Sequence, residues 1–476
     1  MVITPTRLRA AFAASGLVLG LWLTGVQPPG AESDQVSGAA TTAAPPIVST
    51  DSGETADTRA AAPTDPNDDG PATQLAAAPA VDLAADLVGR TRAELRSFPA
   101  EWPIVRGVYS TMWSFAGERW NDLLDLVATT EINAIVIDVK DDNGMIAWKD
   151  SRVAIAHESG ADSHTAQSKA RAASRIRQLR HAGGYPIARI VCFKDPIAAA
   201  AKPELAIKAA GGGVWRDRKG MTWLDANKKD AWDYIVDLGR EAARIGFLEI
   251  QLDYMRFPTD GNVASAVYDD GKTVDPAAIR GFLAYAREQL HAEGVRVSAD
   301  IFGLTTYKQE GSGDGDGTGQ LFEDVISEVD YVSPMVYPSH YYPGNYGLAR
   351  PEAHPYDVVV NAMREAQERV DGYRAKVRPW LEDFSLTVPH HPGRVSDQLR
   401  ATYDNGIESW LLWNAHNRYS REALAPVLRP RAVQAPPEPP AEQTPPEQTP
   451  PEQTPSEQAP AETPTPLAML RGGHVR

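Results

Sequence analysis

The sequence predicts an α/β fold, a closed (β/α)₈ TIM barrel over residues 100–430, with a disordered N-terminal tail and a Pro-rich C-terminal tail. Eight short β-rich runs alternate with helical patterns, which is typical of parallel βαβ units. The connections that lead into strands are short and those that follow strands are long, as in barrels that carry a site at one face. Eight such units in one run favour a closed ring over an open sheet.

The eight predicted strands are rich in β-branched and aromatic residues. In chain order they cover 105–110, 134–141, 186–193, 247–257, 296–303, 331–337, 376–384 and 409–414. Apolar residues at helical spacing predict helices before four of the strands, over 119–130, 166–184, 228–246 and 277–294. Several of these patterns end in Gly directly before the next strand, and Gly is the usual residue beyond a helix C-terminus.

Long segments follow the second to sixth strands, over 142–165, 194–225, 258–274, 304–320 and 338–356. Because a barrel enzyme builds its site from these loops, we expect the functional site at the carboxyl ends of the strands. An open doubly wound sheet often carries a glycine-rich phosphate turn, and none follows the first strand. The glycine-rich stretch 311–319 lacks the glutamate that an EF-hand loop requires, so we interpret it as a flexible linker.

The composition of both ends of the chain predicts segments without a packed core. In residues 1–30, two arginines precede an apolar run, which predicts a signal peptide or an uncleaved signal anchor. Residues 31–99 form an Ala/Thr/Pro/Asp-rich linker that we expect to be disordered. Residues 431–476 carry a Pro/Glu/Gln/Thr repeat, expected to be an extended spacer. We therefore expect a secreted or cell-envelope-associated protein, with a possible membrane tether.

The formal net charge of −16 lies almost entirely in these ends, with −9 in residues 31–89 and −6 in residues 436–470. The barrel itself is therefore close to neutral, which argues against a nucleic-acid partner. A single cysteine, Cys192, excludes an internal disulfide and a multi-cysteine metal site. We expect no cofactor and no metal, and the sequence leaves the oligomeric state open.

Two carboxyl groups at predicted strand ends are candidates for catalysis. Strand four places Glu249, Gln251 and Asp253 at alternate positions, so all three face the same side, which we expect to be the barrel interior. Paired carboxyl groups across a barrel mouth suit hydrolysis of glycosidic bonds. We predict Asp253 as nucleophile or charged stabiliser and Asp300, on strand five, as the acid. Glu249 lies deeper and is interpreted as a structural partner.

Structural roles are open alternatives for both carboxyl groups. Asp253 could form an ion pair with Arg256 that keeps it ionised, and Asp300 could be hydrogen-bonded to Lys140 or Lys194. These two lysines could instead recognise an acidic sugar, or form salt bridges. The predicted substrate-binding residues are all polar or aromatic groups at strand ends: Asp138, Lys140, Lys194, Arg256, Tyr337, Asp383, Trp413 and Asn414.

Aromatic residues on the long loops and at strand ends suit a sugar ligand, because the apolar face of a pyranose ring stacks on an aromatic plane. They are Trp113, Trp148, Trp215, Trp223, Tyr337, Tyr341, Tyr342 and Trp413. Other chemistries lack their motifs. There is no G-x-S-x-G nucleophile elbow and no H-E-x-x-H zinc motif, and the pair His390–His391 is interpreted as part of a loop.

Segments such as NAIVIDVKDDNG, EIQLDYMRFP, YVSPMVYPSHYYPGNYG and RPWLEDF resemble a bacterial family of glycoside hydrolase domains, related to the α-amylase-like barrels. The resemblance covers about 104–420 and implies Asp253 as the nucleophile. Related barrels commonly carry the acid on strand five as Glu, where this chain has Asp300. The family often carries Gln in place of Glu382, which disfavours Glu382 as the acid and leaves Asp383 as a lesser candidate.

Taken together, the sequence predicts a glycoside hydrolase that acts on an extracellular or cell-wall polysaccharide or oligosaccharide through paired carboxylates. One alternative is a non-catalytic carbohydrate-binding or cell-wall scaffolding barrel. Another is a different polysaccharide-active reaction, such as that of a lyase or a deacetylase. Retention or inversion depends on the separation of the two carboxyl groups, which the sequence does not give.

Overall fold

The computed structural model describes residues 102–165, 167–271, 274–307 and 317–426. Eight parallel strands form a ring: β1 (Arg106–Ser110), β2 (Ala134–Lys140), β3 (Tyr185–Val191), β4 (Glu249–Asp253), β5 (Arg296–Phe302), β6 (Tyr331–Val336), β7 (Trp380–Glu382) and β8 (Trp410–Trp413). Each strand overlaps one of the eight predicted runs. The predicted leader, linker and repeat tail (1–30, 31–99 and 431–476) lie outside the described residues and stay predictions.

Backbone hydrogen bonds close the ring between its first and last strands. β8 pairs in parallel with both β1 and β7, and β7 pairs with β6. The short piece Lys376–Val377 also pairs with β6. Pro379, which has no N–H to donate, lies between this piece and β7, so the seventh strand of the barrel is interrupted there. The closed ring confirms the predicted (β/α)₈ barrel.

Ten α-helices connect and surround the strands in the described residues: α1 (Met112–Ala116), α2 (Arg119–Thr129), α3 (Ala154–Glu158), α4 (Lys169–His181), α5 (Pro196–Ala201), α6 (Lys229–Ile245), α7 (Pro276–His291), α8 (Phe322–Glu328), α9 (Pro355–Val370) and α10 (Pro392–Asp404). The four predicted helices correspond to α2, α4, α6 and α7. The Ser168 side chain caps α4 by accepting from the backbone N–H of Arg171. α6 stops at Gly246, whose φ of 113° is a left-handed conformation that favours glycine.

Alternate side chains of the strands enter two separate apolar layers. Val108, Ile135, Ile190, Ile250 and Leu252 point outward into the core beneath the helices, and all are fully buried. Each such burial stabilises the fold by about 1.5–3 kcal/mol. The inward side chains form a smaller cluster inside the barrel, which includes Tyr109, Val136, Ile187, Trp380 and Leu411. Polar residues share this interior at both of its ends.

We call the end of the barrel at the carboxyl ends of the strands the mouth, and the opposite end the floor. The long loops gather at the mouth, where a short antiparallel ladder, Lys208–Ala209 with Ala266–Val267, ties two of them together. None of the helices in the described part of the chain is long and apolar enough to cross a membrane.

Candidate active site

The carboxylate of Asp253 lies at the mouth and is held by Arg189 of β3. Arg189 donates to Asp253 Oδ2 from Nε at 3.0 Å and from Nη2 at 2.5 Å. The backbone N–H of Tyr254 donates to Oδ1 at 2.6 Å. The prediction that Arg256 forms an ion pair with Asp253 is therefore wrong, because Arg189 takes that place. Arg189 points into the barrel from the neighbouring strand, whereas Arg256 lies beyond the end of β4.

Asp138, at the end of β2, contacts the other side of the same guanidinium. Its Oδ1 accepts from Arg189 Nη1 at 2.5 Å, and its Oδ2 accepts from the hydroxyl of Tyr109. Burial raises the pKa of Asp138 to about 6, although Arg189 and Tyr109 both favour the ionised form. Asp138 therefore titrates close to neutral pH, which is typical of a functional carboxyl group.

Asp300, on β5, is the third carboxyl group around Arg189. Its Oδ1 accepts from Trp380 Nε1 at 2.8 Å, and its Oδ2 lies 3.9 Å from Arg189 Nε. Burial, followed by the negative charge of Asp253, raises the pKa of Asp300 well above its usual range. Its hydrogen-bond partner is Trp380, and neither of the expected lysines, Lys140 and Lys194, takes that place.

Three carboxyl groups thus share one guanidinium, and the mouth holds more acid than base. The side chains of Asp138, Asp253 and Asp300 are each at most 7% exposed. The facing oxygens of Asp253 and Asp300 are at most about 7 Å apart, because both lie close to Arg189 Nε. Like charges this close cannot all remain ionised at low cost, so one group is expected to be protonated at neutral pH. An acid and a carboxylate therefore lie side by side.

The two lysines predicted to contact substrate are both engaged by protein groups. Lys140 is fully buried, and its Nζ contacts Asp195 Oδ2 at 2.9 Å and the carbonyl oxygen of Val191 at 2.5 Å. The structure leaves no surface of Lys140 for a substrate, contrary to the prediction. Lys194 pairs with Asp142 at 2.7 Å and is nearly buried. Both lysines thus form salt bridges, which was the alternative to contact with an acidic sugar.

Arg256, in contrast, is surrounded by rings. Its guanidinium carbon lies 5.0 Å from the ring centroids of Trp223, Tyr254 and Phe302. Tyr254 itself has a φ of 49°, a left-handed conformation that is costly for a residue with a side chain. The chain therefore turns sharply directly after Asp253, and this turn brings Arg256 to the rim of the mouth.

The ends of β7 and β8 carry the remaining predicted residues. Asp383 accepts from His390 Nε2 at 3.0 Å and from the backbone N–H of Ser420 at 2.7 Å, and Asn414 donates to its carbonyl oxygen at 2.7 Å. Asp383 and Asn414 are thus engaged in holding the loops together. Trp413 packs against Tyr109 with ring centroids 4.2 Å apart.

Glu382, which the sequence disfavoured as an acid, is also buried at this end of the barrel. Its Oε2 accepts from the hydroxyl of Ser339 at 2.6 Å, and its Oε1 lies 3.5 Å from Arg394. Burial raises the pKa of Glu382 to about 7. It is a further carboxyl group with a pKa near neutral pH, and it does not contact Arg189.

Most of the aromatic residues predicted to form an open sugar platform are buried, so that prediction is wrong for them. Trp148, Trp215 and Trp223 are at most 2% exposed, and their N–H groups donate to protein acceptors. Tyr337 and Tyr341 are buried as well. These residues pack inside the loops and shape the mouth from within. Trp113, in α1 after β1, is 51% exposed and remains available as a platform.

Sequence reasoning missed Arg189, Tyr109 and Trp380, which hold the three carboxyl groups in place. The sequence did carry a signal for Arg189. Alternation along strand three places Arg189 on the inward-facing side, just as alternation along strand four places Asp253 there. Within the described residues, no three His, Cys, Asp or Glu side chains are arranged as a metal site.

The comparisons with known proteins concern the same region of the chain. The sequence profile of a family described as "putative glycosyl hydrolase domain" matches residues 107–419. No curated protein matches the chain. Among solved structures, a hypothetical protein from Ruminiclostridium thermocellum is 41% identical, with 40% of this chain and 96% of that chain covered and a TM-score of 0.37.

Two further solved structures are more distant in sequence. The glycoside hydrolase domain of PgaB (BpsB) from Bordetella bronchiseptica is 13% identical, with 66% of this chain and 94% of that chain covered and a TM-score of 0.45. An α-galactosidase from Thermus thermophilus is 13% identical, with 70% of this chain and 62% of that chain covered and a TM-score of 0.43.

Proposed function

Since the chain belongs to this glycosyl hydrolase domain family, we propose that it hydrolyses glycosidic bonds in an extracellular or cell-wall polysaccharide. The single observation that carries the proposal is the cluster at the mouth, where Asp138, Asp253 and Asp300 share the guanidinium of Arg189. A glycosidase needs one protonated and one ionised carboxyl group on either side of the scissile bond. An excess of buried acid over base supports that pairing.

In this proposal Asp253 is the nucleophile and Asp300 is the acid. Two guanidinium N–H groups and a backbone N–H donate to the carboxylate of Asp253 and orient it. Asp300 gives its proton to the leaving oxygen while Asp253 attacks the anomeric carbon, which breaks the glycosidic bond and forms a glycosyl ester. Asp300, now ionised, then takes a proton from the water that hydrolyses the ester.

The separation of the two carboxyl groups favours retention of configuration. Retaining enzymes place them about 5–5.5 Å apart, and inverting enzymes about 6.5–9.5 Å. The limit of about 7 Å between the facing oxygens of Asp253 and Asp300 includes the first range and only the lower edge of the second. Product analysis by NMR at early times tests this, because retention yields the anomer of the substrate first.

The catalytic roles are tested by Asp253→Asn and Asp300→Asn, assayed for new reducing ends on a panel of soluble polysaccharides and isolated cell walls. We expect kcat to fall on the order of 10⁴-fold for Asp253→Asn and about 10²- to 10⁴-fold for Asp300→Asn. Sugar binding should persist in both. A matched control is Asp162→Asn, a buried carboxylate that serves Ser151 and His157 on a loop. Unchanged turnover in Asp253→Asn would refute the assignment.

One observation favours the second candidate, a non-catalytic carbohydrate-binding or scaffolding barrel. Asp253 already has a donor on each oxygen, and such saturation is also what a purely structural ion pair requires. A binding barrel would hold oligosaccharides in the wild type without releasing reducing ends. Products that absorb in the ultraviolet would instead identify a lyase.

The proposed location is extracytoplasmic. It is supported by the apolar run in residues 1–30 and by the composition of 31–99 and 431–476. N-terminal sequencing of the protein recovered from culture medium and from membranes tests it. A mature terminus near residue 30 indicates a cleaved signal, and an intact terminus in membranes indicates an anchor.

A further inference from the structure

Arg256 differs from the other basic residues near the mouth in what surrounds it. Three aromatic rings, from Trp223, Tyr254 and Phe302, each lie with their centroid 5.0 Å from its guanidinium carbon. Trp223 is buried and fixed by its N–H, which donates to Asp217 at 3.1 Å. The rings thus hold the guanidinium in a defined place, because cation–π contacts are strongest where water is excluded.

The hydrogen-bonding capacity of this guanidinium is largely unused by the protein. Arg256 Nη1 donates to the carbonyl oxygen of Phe257 at 3.1 Å, and no carboxylate of the described residues lies within 4 Å of it. The residue is half-buried, and burial lowers the pKa of its guanidinium, so the unused N–H groups lie in a partly desolvated place at the mouth. Lys194, Lys140 and Arg189, by comparison, each contact a carboxylate within 3.0 Å.

The nearest acids do not supply the missing partner. Asp217 already accepts from the backbone N–H groups of Lys219 and Met221 at 2.9 Å and from Trp223. Asp253 and Asp260 are both close enough to feel the charge of Arg256, and both are outside ion-pair distance. A guanidinium offers a planar pair of N–H groups that matches a carboxylate, so an unused one at a protein surface is suited to an anionic ligand.

The position of Arg256 connects it to the candidate catalytic groups. It follows Asp253 by three residues, and Phe302, one of its three rings, follows Asp300 by two. The guanidinium therefore lies between the ends of β4 and β5, the two strands that carry the proposed nucleophile and acid. The charge of Asp253 acts on this guanidinium, which places Arg256 in the neighbourhood of the proposed nucleophile.

We propose, on the basis of the proposed hydrolase function, that Arg256 binds the carboxylate of a uronic acid residue and that the substrate is an acidic polysaccharide. Three rings surround the guanidinium, and one of its N–H groups is used by the carbonyl oxygen of Phe257. In that apolar setting a charge-assisted pair of hydrogen bonds is stronger than in water. In this proposal Arg256 recognises the acidic sugar, whereas Lys140 and Lys194 are already paired with carboxylates of the protein.

The experiment measures binding by calorimetry in the full chain carrying Asp253→Asn, which prevents turnover. The probes are oligosaccharides that contain glucuronate, galacturonate or mannuronate, each matched with its carboxyl-reduced counterpart. We expect at least one acidic probe to bind about 10- to 100-fold more tightly than its reduced form. Adding Arg256→Gln should abolish that difference and leave the affinity for the reduced form unchanged, and Arg256→Lys should restore only part of it.

Arg400→Gln is the matched control, because Arg400 also lies over a ring, that of Tyr356 at 4.7 Å, but on the outer helix α10. It should preserve the preference for the acidic probe. Equal loss of affinity for both members of a pair in Arg256→Gln would show a structural role and overturn the proposal. If the wild type cleaves reduced and acidic forms equally well, the hydrolase stands and the anionic subsite falls. Absence of both binding and cleavage overturns both.

Discussion

Two clusters of charged side chains lie inside the barrel, and they differ in the ratio of acid to base. At the floor, Glu249 of β4 and Arg378 are both fully buried and form a one-to-one pair, with Ser298 donating a further hydrogen bond to Glu249 at 2.5 Å. The buried Arg296, at the start of β5, acts on Tyr185 together with this pair. At the mouth, three carboxyl groups share the single guanidinium of Arg189, which is 14% exposed. The same residue types thus build a neutral pair at one end and an acidic cluster at the other.

The difference in charge balance indicates that the floor serves the stability of the barrel and the mouth serves its function. A buried one-to-one pair has no net charge and no titratable group left over, which suits a structural role. An unbalanced cluster costs folding free energy, because carboxyl groups must stay protonated or repel one another. Such a cost persists at sites where the chemistry requires it. Position along a strand is therefore less informative than the local balance of charge.

The largest expected effect is on stability, at the floor. Glu249→Gln leaves the charge of Arg378 buried without its partner, and the free energy of unfolding should fall by about 3–5 kcal/mol. Replacing both residues by apolar side chains of similar size should recover most of this loss. Urea denaturation measures both. The mouth variant Asp253→Asn is the comparison and should change stability little, because Asp138 and Asp300 still balance Arg189. An equal loss in the two single variants would remove the distinction between the clusters.

The next effect is a dependence of stability on pH that belongs to the mouth. Burial raises the pKa of Asp138 to about 6, above its value in the unfolded chain. The folded state therefore binds this proton more tightly, and the associated stability is present below about pH 4 and is lost as pH rises through about 6. In Asp138→Asn this loss is absent, so the variant should gain up to about 3 kcal/mol relative to wild type between pH 4 and 7.

Urea denaturation of both proteins at several pH values measures that gain. The quantity of interest is the difference between variant and wild type at each pH, because groups distant from the mouth titrate equally in both. Asn keeps an oxygen that accepts from Arg189, and the hydroxyl of Tyr109 can accept from its amide. A difference that stays constant from pH 4 to 7 would contradict the assignment of a raised pKa to Asp138.

The sequence predicted the barrel well because short strand-like runs recur eight times, with clear helical patterns before four of them. Alternation along strand four also indicated that Glu249, Gln251 and Asp253 share one face, and they do contact Arg378, Ser333 and Arg189 across the interior. Pairing between strands was harder to predict. Arg256 is close to Asp253 in sequence, yet the left-handed turn at Tyr254 carries it away.

The burial of the aromatic residues in the loops could not be predicted from the sequence either. Trp148 is in a long loop, as a platform residue would be, but its N–H donates to Glu241 at 2.9 Å on α6, 93 residues away. Composition and spacing describe neighbours along the chain, and only the folded loops determine which face of a ring meets water. Trp113 and the three carboxyl groups were identified because strand ends alone place them at the mouth.

The smallest expected effect separates positioning from charge at Arg189, the residue that sequence reasoning missed. Arg189→Lys keeps a positive charge but loses the planar fork, so one ammonium cannot hold Asp138, Asp253 and Asp300 together. We expect kcat to fall about 10- to 100-fold with little change in KM, because the ligand-binding surfaces remain. Arg189 lowers the pKa values of both Asp138 and Asp300 against the effect of burial. Arg189→Lys keeps the charge but loses the hydrogen bond that lowers the pKa of Asp138, so the pH optimum should move upward.

The floor provides the control for this variant. Arg378→Lys makes the same substitution in the one-to-one pair, and it should reduce stability without moving the pH profile of kcat/KM. If Arg189→Lys changed only the melting temperature, Arg189 would be a structural group like Arg378. The charged cluster at the mouth would then have a structural role, as the pair at the floor has. An upward shift of the pH optimum confined to Arg189→Lys would instead show that the guanidinium sets the protonation of the carboxyl groups, which a merely structural residue cannot do.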